Sequence, residues 1–432
     1  MSIELKSKMA KTWGFIKCPL YNYIHINSLE KDLIDTYPFQ RLRRLRQLVG
    51  AEYAYPGACH SRLEHSLGVM HLAGELSDNM AKNGQFTKEE VQEIKLAALL
   101  HDVGHGPFSH VFEPILMQNL HKTHEDMTTW IIRNTEISDI LKRENMDPVR
   151  VSELAVGKLR NTDKRFANQI ISSPVDVDKM DFVGRDTYHT GAEYGHVDIF
   201  RLIYTMDVME NNIAVDLTAL TTLETFILAR IESFRAIYFH RVSRAAQIML
   251  ERAIDLAKDE LGLTRFDDVN DYLRLDDYTM WAYLKGSKAS RSLIEGLEMR
   301  QLLKQAYEKT FLAKDEMLTS VLTNEKIRVE LENEIATASD VSPGEVTIDV
   351  PSMPSVAVSH ALSPEEMEIP MFYKDPDGKK TPRRLSDASK IIDLLRGYMN
   401  IVRVYTSKEK REAVRKASEK LLGKPQSLEI SY

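Results

Sequence analysis

Histidine, aspartate and arginine gather in one part of this 432-residue chain. Ten of the thirteen histidines lie between His60 and His196, under a third of the length. Imidazole and carboxylate together are donors that divalent cations take. The densest run is LLHDVGHGPFSHVFE, 99–113. His101 and Asp102 are neighbours at the end of an apolar helix, about 100° apart around its axis. Both can approach one ion from adjacent directions. His105 and His110 follow in a turn opened by Gly104, Gly106 and Pro107, where glycine lets backbone and ligand come close. Upstream, HSRLEHSLGV puts Arg62 and His65 three apart, on one helix face. Downstream, DVDKMDFVGRD at 176–186 sets Asp178 and Asp181 three apart, and Asp186 continues the row. One such helix alone is usually a solvated face. In series the segments supply His, His-Asp and Asp. That set suits hydrolysis of a phosphate ester. A metal makes water acidic, cations offset phosphoryl charge, and an imidazole near neutrality protonates the leaving oxygen.

Helices must hold these residues. The stretch from His60 to Ala81 carries Leu63, Leu67, Met70, Leu72, Ala73 and Leu76 largely at helical spacing. Thr87 is an N-cap, with Glu89 and Glu90 in the first turn of a helix that runs through LAALLHDVG and ends near Gly104. From Leu217 to Leu261 there is neither Gly nor Pro, which predicts a long helix over about 217–256, whole or in two nearly continuous parts. The first 25 residues read as an extended, strand-like entry. After about residue 310 the composition changes. Prolines crowd 339–384, VTIDV and IPMFY are β-type runs, and DPDG at 375–378 is a hairpin signal. A helix at Asp387–Arg396, a strand at Ile401–Tyr405 and a helix from Ser407 follow. The expected architecture is mainly α. A helical core spans 1–310, with its motifs in 60–190, and a smaller C-terminal α+β unit spans 311–432 as an interface or lid.

Composition is that of an ordinary globular protein, 43% hydrophobic and 28% charged. A net charge of -7 and a pI near 6.1 argue against a dedicated nucleic-acid binder. Arg41, Arg43, Arg44 and Arg46 are a local basic run, either a polyphosphate contact or a solvated helix face. Cys18 and Cys59 are too few for a disulfide scaffold and fit a reducing compartment as small packed thiols. The N-terminus has no signal-peptide core, and no segment approaches about 18 apolar residues. A cytoplasmic protein without a membrane partner is expected.

The order His65, His101-Asp102, Asp178 resembles the metal signature of HD-domain phosphohydrolases. IDTYPFQRLRRLRQLVG at 34–50, YPGACHSRLEHSLGV at 55–69, HDVGHGPFSHVFE at 101–113, THED at 123–126 and DVDKMDFVGRD are similar to one branch. That branch is the deoxynucleoside triphosphate triphosphohydrolases, including bacterial dGTPases and the vertebrate SAM-and-HD-domain enzyme. The resemblance covers about residues 14–256, and no SAM domain is visible. It implies an HD helical core and a divalent ion (Mg, Mn, Fe, Ni, Co or Zn) on His65, His101, Asp102 and Asp178. It implies attack by metal-activated water on the α-phosphorus, releasing deoxynucleoside and inorganic triphosphate. His105, His110 and His124 would surround the phosphates. His110 with Glu113 would be the general acid, and His124 its rival. Arg62, Lys179 and Arg230 would neutralise phosphates, while Gln47, Leu48, Asp186 and Tyr238 would face the sugar. A Tyr238 ring under deoxyribose would exclude a 2′-hydroxyl.

The chain departs from the branch pattern at three aromatic positions. Phe182 replaces a tyrosine, and Phe234 and Phe239 replace a phosphate-facing histidine and a base-side polar residue. The residues matching an activating-nucleotide site are Asp35, Gln40 and Arg43, but an Asn-Asp pair is replaced by Lys17 and Cys18. The resemblance implies a homo-oligomer, dimer to tetramer, with nucleotide regulation. Two other readings stay open. One is an HD phosphohydrolase acting on a monophosphate, cyclic nucleotide or alarmone; the other is a nucleotide-binding regulator without turnover.

Overall fold

The computed structural model describes residues 12–312, 324–354, 369–391 and 398–424. The chain enters as an antiparallel hairpin, β1 (Thr12–Cys18) and β2 (Asn22–Asn27), as the extended reading of the N-terminus requires. Asn27 then caps α1 (Ser28–Ile34) by accepting from the Glu30 N–H, while the Glu30 carboxylate accepts from Asn27. A short α2 (Tyr37–Arg41) follows, with Pro38 in its first turn.

The centre of the molecule is α3 (Arg62–Lys82) packed along α4 (Lys88–Leu100), with α7 (Val177–Thr190) laid on α3. Thr87 caps α4 as expected, in a reciprocal box with Glu90. Leu67, Met70, Leu76, Ile94, Ala97 and Met180 are all buried in the shared core. Between these long helices lie α5 (Glu113–Leu120) and α6 (His124–Asn134), which flank the histidine-rich turn.

The helix expected over 217–256, whole or in two nearly continuous parts, is two helices, α8 (Leu220–Ser233) and α9 (Arg241–Ala257). A π-turn, Phe234–Tyr238, joins them, closed by the Phe239 N–H on the Phe234 carbonyl at 2.8 Å. Apolar periodicity cannot register the one extra residue that such a turn inserts.

Residue 310 lies within β5 (Lys304–Leu312), antiparallel to β10 (Tyr398–Thr406), which also pairs with β6 (Thr347–Asp349) and β7 (Ser352–Pro354). DPDG forms the expected hairpin between β8 (Pro370–Lys374) and β9 (Lys380–Arg384). That hairpin does not stay within the C-terminal unit. β8 runs parallel to β4 (Asn212–Asp216), itself paired with β3 (Met206–Met209), so residues 370–384 complete a sheet begun at Met206, 164 residues earlier. A second, smaller core lies under β5 and β10, where Val402, Val404, Ile335 and Val414 meet between α10 (Glu325–Ala338) and α11 (Arg411–Leu422). The terminal helix thus starts at Arg411, not Ser407. Of the helix expected at Asp387–Arg396, the described part shows a helical turn at Leu385–Ala388 and helical residues again at 390–391, while 392–397 lie outside the described residues. Among the described residues no helix is long and apolar enough to cross a membrane.

Candidate functional site

Capping places the metal-type donors. The Glu64 carboxylate receives the Ser61 N–H at 3.4 Å, so α3 begins at Arg62 and turns His65 inward one turn later. Asp176 caps α7 by accepting from the Lys179 N–H at 2.8 Å, which sets Asp178 in the first turn and Asp181 on the next. The helix expected to run to Gly104 ends at Leu100 instead. His101 and Asp102 stand just past its last turn, at the helix end as expected. Gly104 has a different task. A Cβ there would lie 2.1 Å from the Thr128 nitrogen and 2.2 Å from the His124 carbonyl oxygen, so glycine is what lets α6 cross the turn. Thr128 fastens the crossing, its hydroxyl accepting from Gly104 and donating to the His101 carbonyl, both at 3.0 Å.

Donor atoms of four side chains converge, Asp102 with both its oxygens. His65 Nε2 is 2.9 Å from Asp178 Oδ1 and 3.8 Å from Asp102 Oδ2; His101 Nε2 is 3.3 Å from Asp102 Oδ1 and 3.8 Å from Asp178 Oδ1. Each imidazole is held from behind. His65 Nδ1 meets Asp181 at 2.8 Å, and His101 Nδ1 meets the Ala98 carbonyl at 2.8 Å. Asp181 is braced in turn by Arg185, through two bonds of 2.8 Å, and by the Tyr21 hydroxyl at 2.8 Å. Metal-binding histidines are oriented in this way. His101 Nε2 is buried without a hydrogen-bond partner, its approach to Asp102 being off the hydrogen-bonding direction. Such an atom is costly unless a ligand takes it. Burial alone would lower the His65 pKa, yet Asp178 and Asp181 carry it to about 10. Burial would likewise raise the Asp102 and Asp178 carboxyls, but neighbouring cationic groups hold both below the usual range. The cluster thus favours a positive charge at its centre. Its donors fit a divalent cation, and two imidazoles with two carboxylates do not select one metal.

A second group adjoins the first. Glu113, opening α5, accepts from His124 Nδ1 at 2.7 Å with one oxygen and meets His110 Nδ1 at 3.1 Å with the other. The His105 and His124 rings stack at 4.1 Å, 15° apart. His110 stands nearly perpendicular to both rings, and one ring nitrogen of each of the three lies within 4.8 Å of the others, close enough to share a proton, an anion or a metal ion. Burial would lower the His124 pKa, but Glu113 outweighs it and holds the ring above its ordinary value. His105 goes the other way, pushed well down by burial and by the charge of Arg62. His110 leaves 70% of its side chain exposed. The turn carrying these residues has two successive left-handed residues, Phe108 and Ser109. Asp277, buried and pushed up to about 6 by burial, clips it by accepting from the Phe108 and Arg46 N–H groups at 2.7 and 2.8 Å.

Cations and the remaining expected residues surround both groups. Arg62 is buried, donating to Asp102 and, at 2.7 Å, to the Ser109 hydroxyl. Lys179 Nζ lies 2.6 Å from Asp176. Arg230 is buried, which lowers its pKa against the pull of Asp176, Tyr238 and Asp178. Asp186 accepts from the Tyr238 hydroxyl and is 2.8 Å from His60 Nε2. Leu48 packs with Ile237 and Ala192 beside Tyr238, and the Gln47 N–H donates to the His60 carbonyl. Phe182 and Phe234 stand edge-on to the Tyr238 ring, at 6.2 and 4.7 Å. Phe239 is buried after the π-turn.

Asp35, Gln40 and Arg43 also share one region. Arg43 donates to Gln40 at 2.8 Å, Gln40 to the Ile34 carbonyl at 2.7 Å, and Asp35 pairs with Lys31 at 2.7 Å. The Arg41–Arg46 run is neither one patch nor one solvated face. Arg41 is fully buried and donates to the Leu275 and His105 carbonyls at 2.7 and 2.8 Å. Arg44 and Arg46 pair with Asp276 and Glu52. Cys18 is buried beside the Arg185 guanidinium and Cys59 is exposed. Sequence reading missed Asp277, Tyr21, Arg185 and His60 as site residues. Asp277, Tyr21 and His60 bond to partners 126 to 231 positions away, and Arg185 sits behind the donors, so no local pattern marks them.

Comparison with known proteins places this arrangement. The HD domain model matches residues 62–182, and the HD associated region model matches 197–429. The uncharacterized protein YwfO of Bacillus subtilis is 37% identical over 246 residues, 56% of this chain and 55% of that protein. Human deoxynucleoside triphosphate triphosphohydrolase SAMHD1 is 29% identical over 347 residues, 69% of this chain and 55% of that protein. The chain thus spans little more than half the length of these curated relatives. The crystal structure of a hypothetical protein from Aquifex aeolicus is similar at a TM-score of 0.76 and 29% identity, over 93% of this chain and 99% of that one. With the HD domain matched over the segment that carries His65, His101, Asp102 and Asp178, and the HD associated region matched over more than half of the chain, this chain is a member of the HD-domain phosphohydrolase superfamily, in the group that carries the HD associated region.

Proposed function

We propose that this protein hydrolyses deoxynucleoside triphosphates to deoxynucleoside and inorganic triphosphate. The observation that carries the reading is the adjacency of three parts: four metal-type donors, a Glu113-held histidine pair, and the Asp186–Tyr238 contact. The printed name of the human relative supports the same substrate class. A divalent cation bound by His65, His101, Asp102 and Asp178 supplies an acidified water and offsets phosphoryl charge. Arg62, Lys179 and Arg230 lie around those donors and hold the polyphosphate. Glu113 keeps a proton on His124, which gives it to the leaving 5′-oxygen; the closer grip and deeper burial favour His124 over the exposed His110 for that step. His110 and His105 then contact phosphate. Asp186 accepts from a sugar hydroxyl, while the Tyr238 ring leaves no room for a 2′-hydroxyl. Gln47 and Leu48 complete the sugar wall. Asp35, Gln40 and Arg43 form an activating-nucleotide contact between copies of the chain.

Product analysis tests this directly. Purified protein with Mg or Mn and the four dNTPs, singly and mixed, is expected to yield deoxynucleoside and triphosphate. Asp178→Ala or His101→Ala is expected to lose both bound metal and turnover, and His110→Ala to keep the metal. Full activity in the Asp178→Ala protein would overturn the metal assignment. Release of orthophosphate or pyrophosphate would overturn attack at the α-phosphorus.

A further inference from the structure

Three side chains reach between the C-terminal sheet and the backbone just past Tyr238. Arg403 of β10 is buried; it donates to the Phe239 carbonyl and, at 2.6 Å, to Glu308. Two positions on, the Tyr405 hydroxyl donates to the Arg241 carbonyl at 3.0 Å. From β6, Asp349 receives Arg244 through two nitrogens, at 3.1 and 2.6 Å. The segment 239–244 is therefore fastened to one sheet at three successive points.

The residues immediately before it are the π-turn, Phe234–Tyr238. A π-turn holds one residue more than an α-helical turn, is rare, and is frequently found at functional sites. Were it to relax to α-helix, the residues on one side would slide by one position and rotate by about 100°. Tyr238 is the last residue of the turn, with its hydroxyl on Asp186. A one-residue slip would carry that hydroxyl away. Within the turn the Tyr55 hydroxyl on the Ala236 carbonyl at 2.7 Å and the buried Ile237 oppose the slip. A second hold comes from the far side, where rotation of α9 is opposed while its first turn is bonded to β10 and β6.

We propose that the C-terminal sheet is a clamp on this π-turn, and that Arg403 is a positioning residue for Tyr238 and hence for discrimination at the sugar. This rests on the reading that Asp186 and Tyr238 face the sugar. It gives the C-terminal unit a role that neither a lid nor a subunit interface requires. Arg403 suits it chemically, since a fixed fork can bond a carbonyl and a carboxylate at once.

The test uses the full chain with Arg403→Met, Arg403→Lys and Tyr405→Phe, and two readouts. The first is amide hydrogen exchange; the second is steady-state kinetics with dGTP and GTP in Mn. In Arg403→Met, exchange over 234–240 should rise about tenfold, as expected for one lost charge-assisted bond. Exchange over 62–82 and 177–190 should stay unchanged. KM for dGTP should rise and the preference for dGTP over GTP should fall by a similar factor, with kcat changing less. Arg403→Lys should recover part of both. Tyr405→Phe removes one hydroxyl, should move both readouts the same way by less, and decides the matter if Arg403→Met does not fold. Unchanged exchange over 234–240, or a uniform rise along the chain, overturns the clamp. If the wild-type protein turns over no dNTP, the sugar reading fails, and the exchange readout still decides the clamp by itself.

Discussion

Glu113 is one carboxylate serving two imidazoles, and its effect on protons has a definite sign. Burial on its own depresses the His124 pKa, whereas Glu113 raises it more, so the protonated ring persists to higher pH. Glu113→Gln removes the main opposition to burial and leaves only the weaker pull of Asp102. The alkaline limb of kcat/KM, which reports loss of the acid, is then expected at lower pH than in the wild type. A pH–rate profile of the two proteins checks this, and an unmoved limb removes His124 from the acid role. His105, stacked on the same ring but held neutral by burial and Arg62, should not add a limb of its own in that range.

Helix packing decides whether the donors meet, and two glycines set how closely. Glycine in a helix is ordinarily weaker than alanine by about 1 kcal/mol. At Gly68 of α3 the sign should reverse, because a Cβ would lie 1.9 Å from Asp181 Oδ1 and 2.4 Å from Arg185 Nη2. Gly68→Ala must push Asp181 off His65. Metal affinity is expected to fall about 10- to 100-fold, read as metal retained after dialysis against a weak chelator; a stabilised protein with full metal content would contradict it. This level also divides what the sequence makes legible from what it does not. The clustering of histidines marks the region locally, but the choice of His65, His101, Asp102 and Asp178 within it comes from the family resemblance, because carboxylates, 64 in this chain, are too common for spacing alone to single two out. The cap at Thr87 and the DPDG hairpin are legible as local patterns. The π-turn is not, since one inserted residue leaves the apolar stripe nearly intact. Nor is the burial of Arg41: its type says surface, and only the carbonyls of His105 and Leu275, far along the chain, give it an interior place.

At the scale of the whole molecule, Arg41 ties the entry segment to the histidine turn and to residues near 275. Its charge is unwelcome there, as burial lowers its pKa. Arg41→Met removes that charge but leaves two buried carbonyls without donors, so a net loss of about 2–4 kcal/mol is expected in urea unfolding. A change within about 0.5 kcal/mol, ordinary for a surface site, would mean that water or a neighbour replaces the bonds. The pairing of β4 with β8 acts over a longer range still, for Val215 and Met371 lie 156 positions apart. That distance is also an interval of time. At roughly 5–20 residues per second, a ribosome needs about 8–30 s to pass from one strand to the other. Throughout that interval the edge of β4 that will take β8 has no partner from its own chain. Unpaired strand edges invite pairing with other chains, so the nascent protein has a period of vulnerability that the finished one does not. Slowing translation between these strands should lower soluble yield without altering the specific activity of the molecules that complete the sheet.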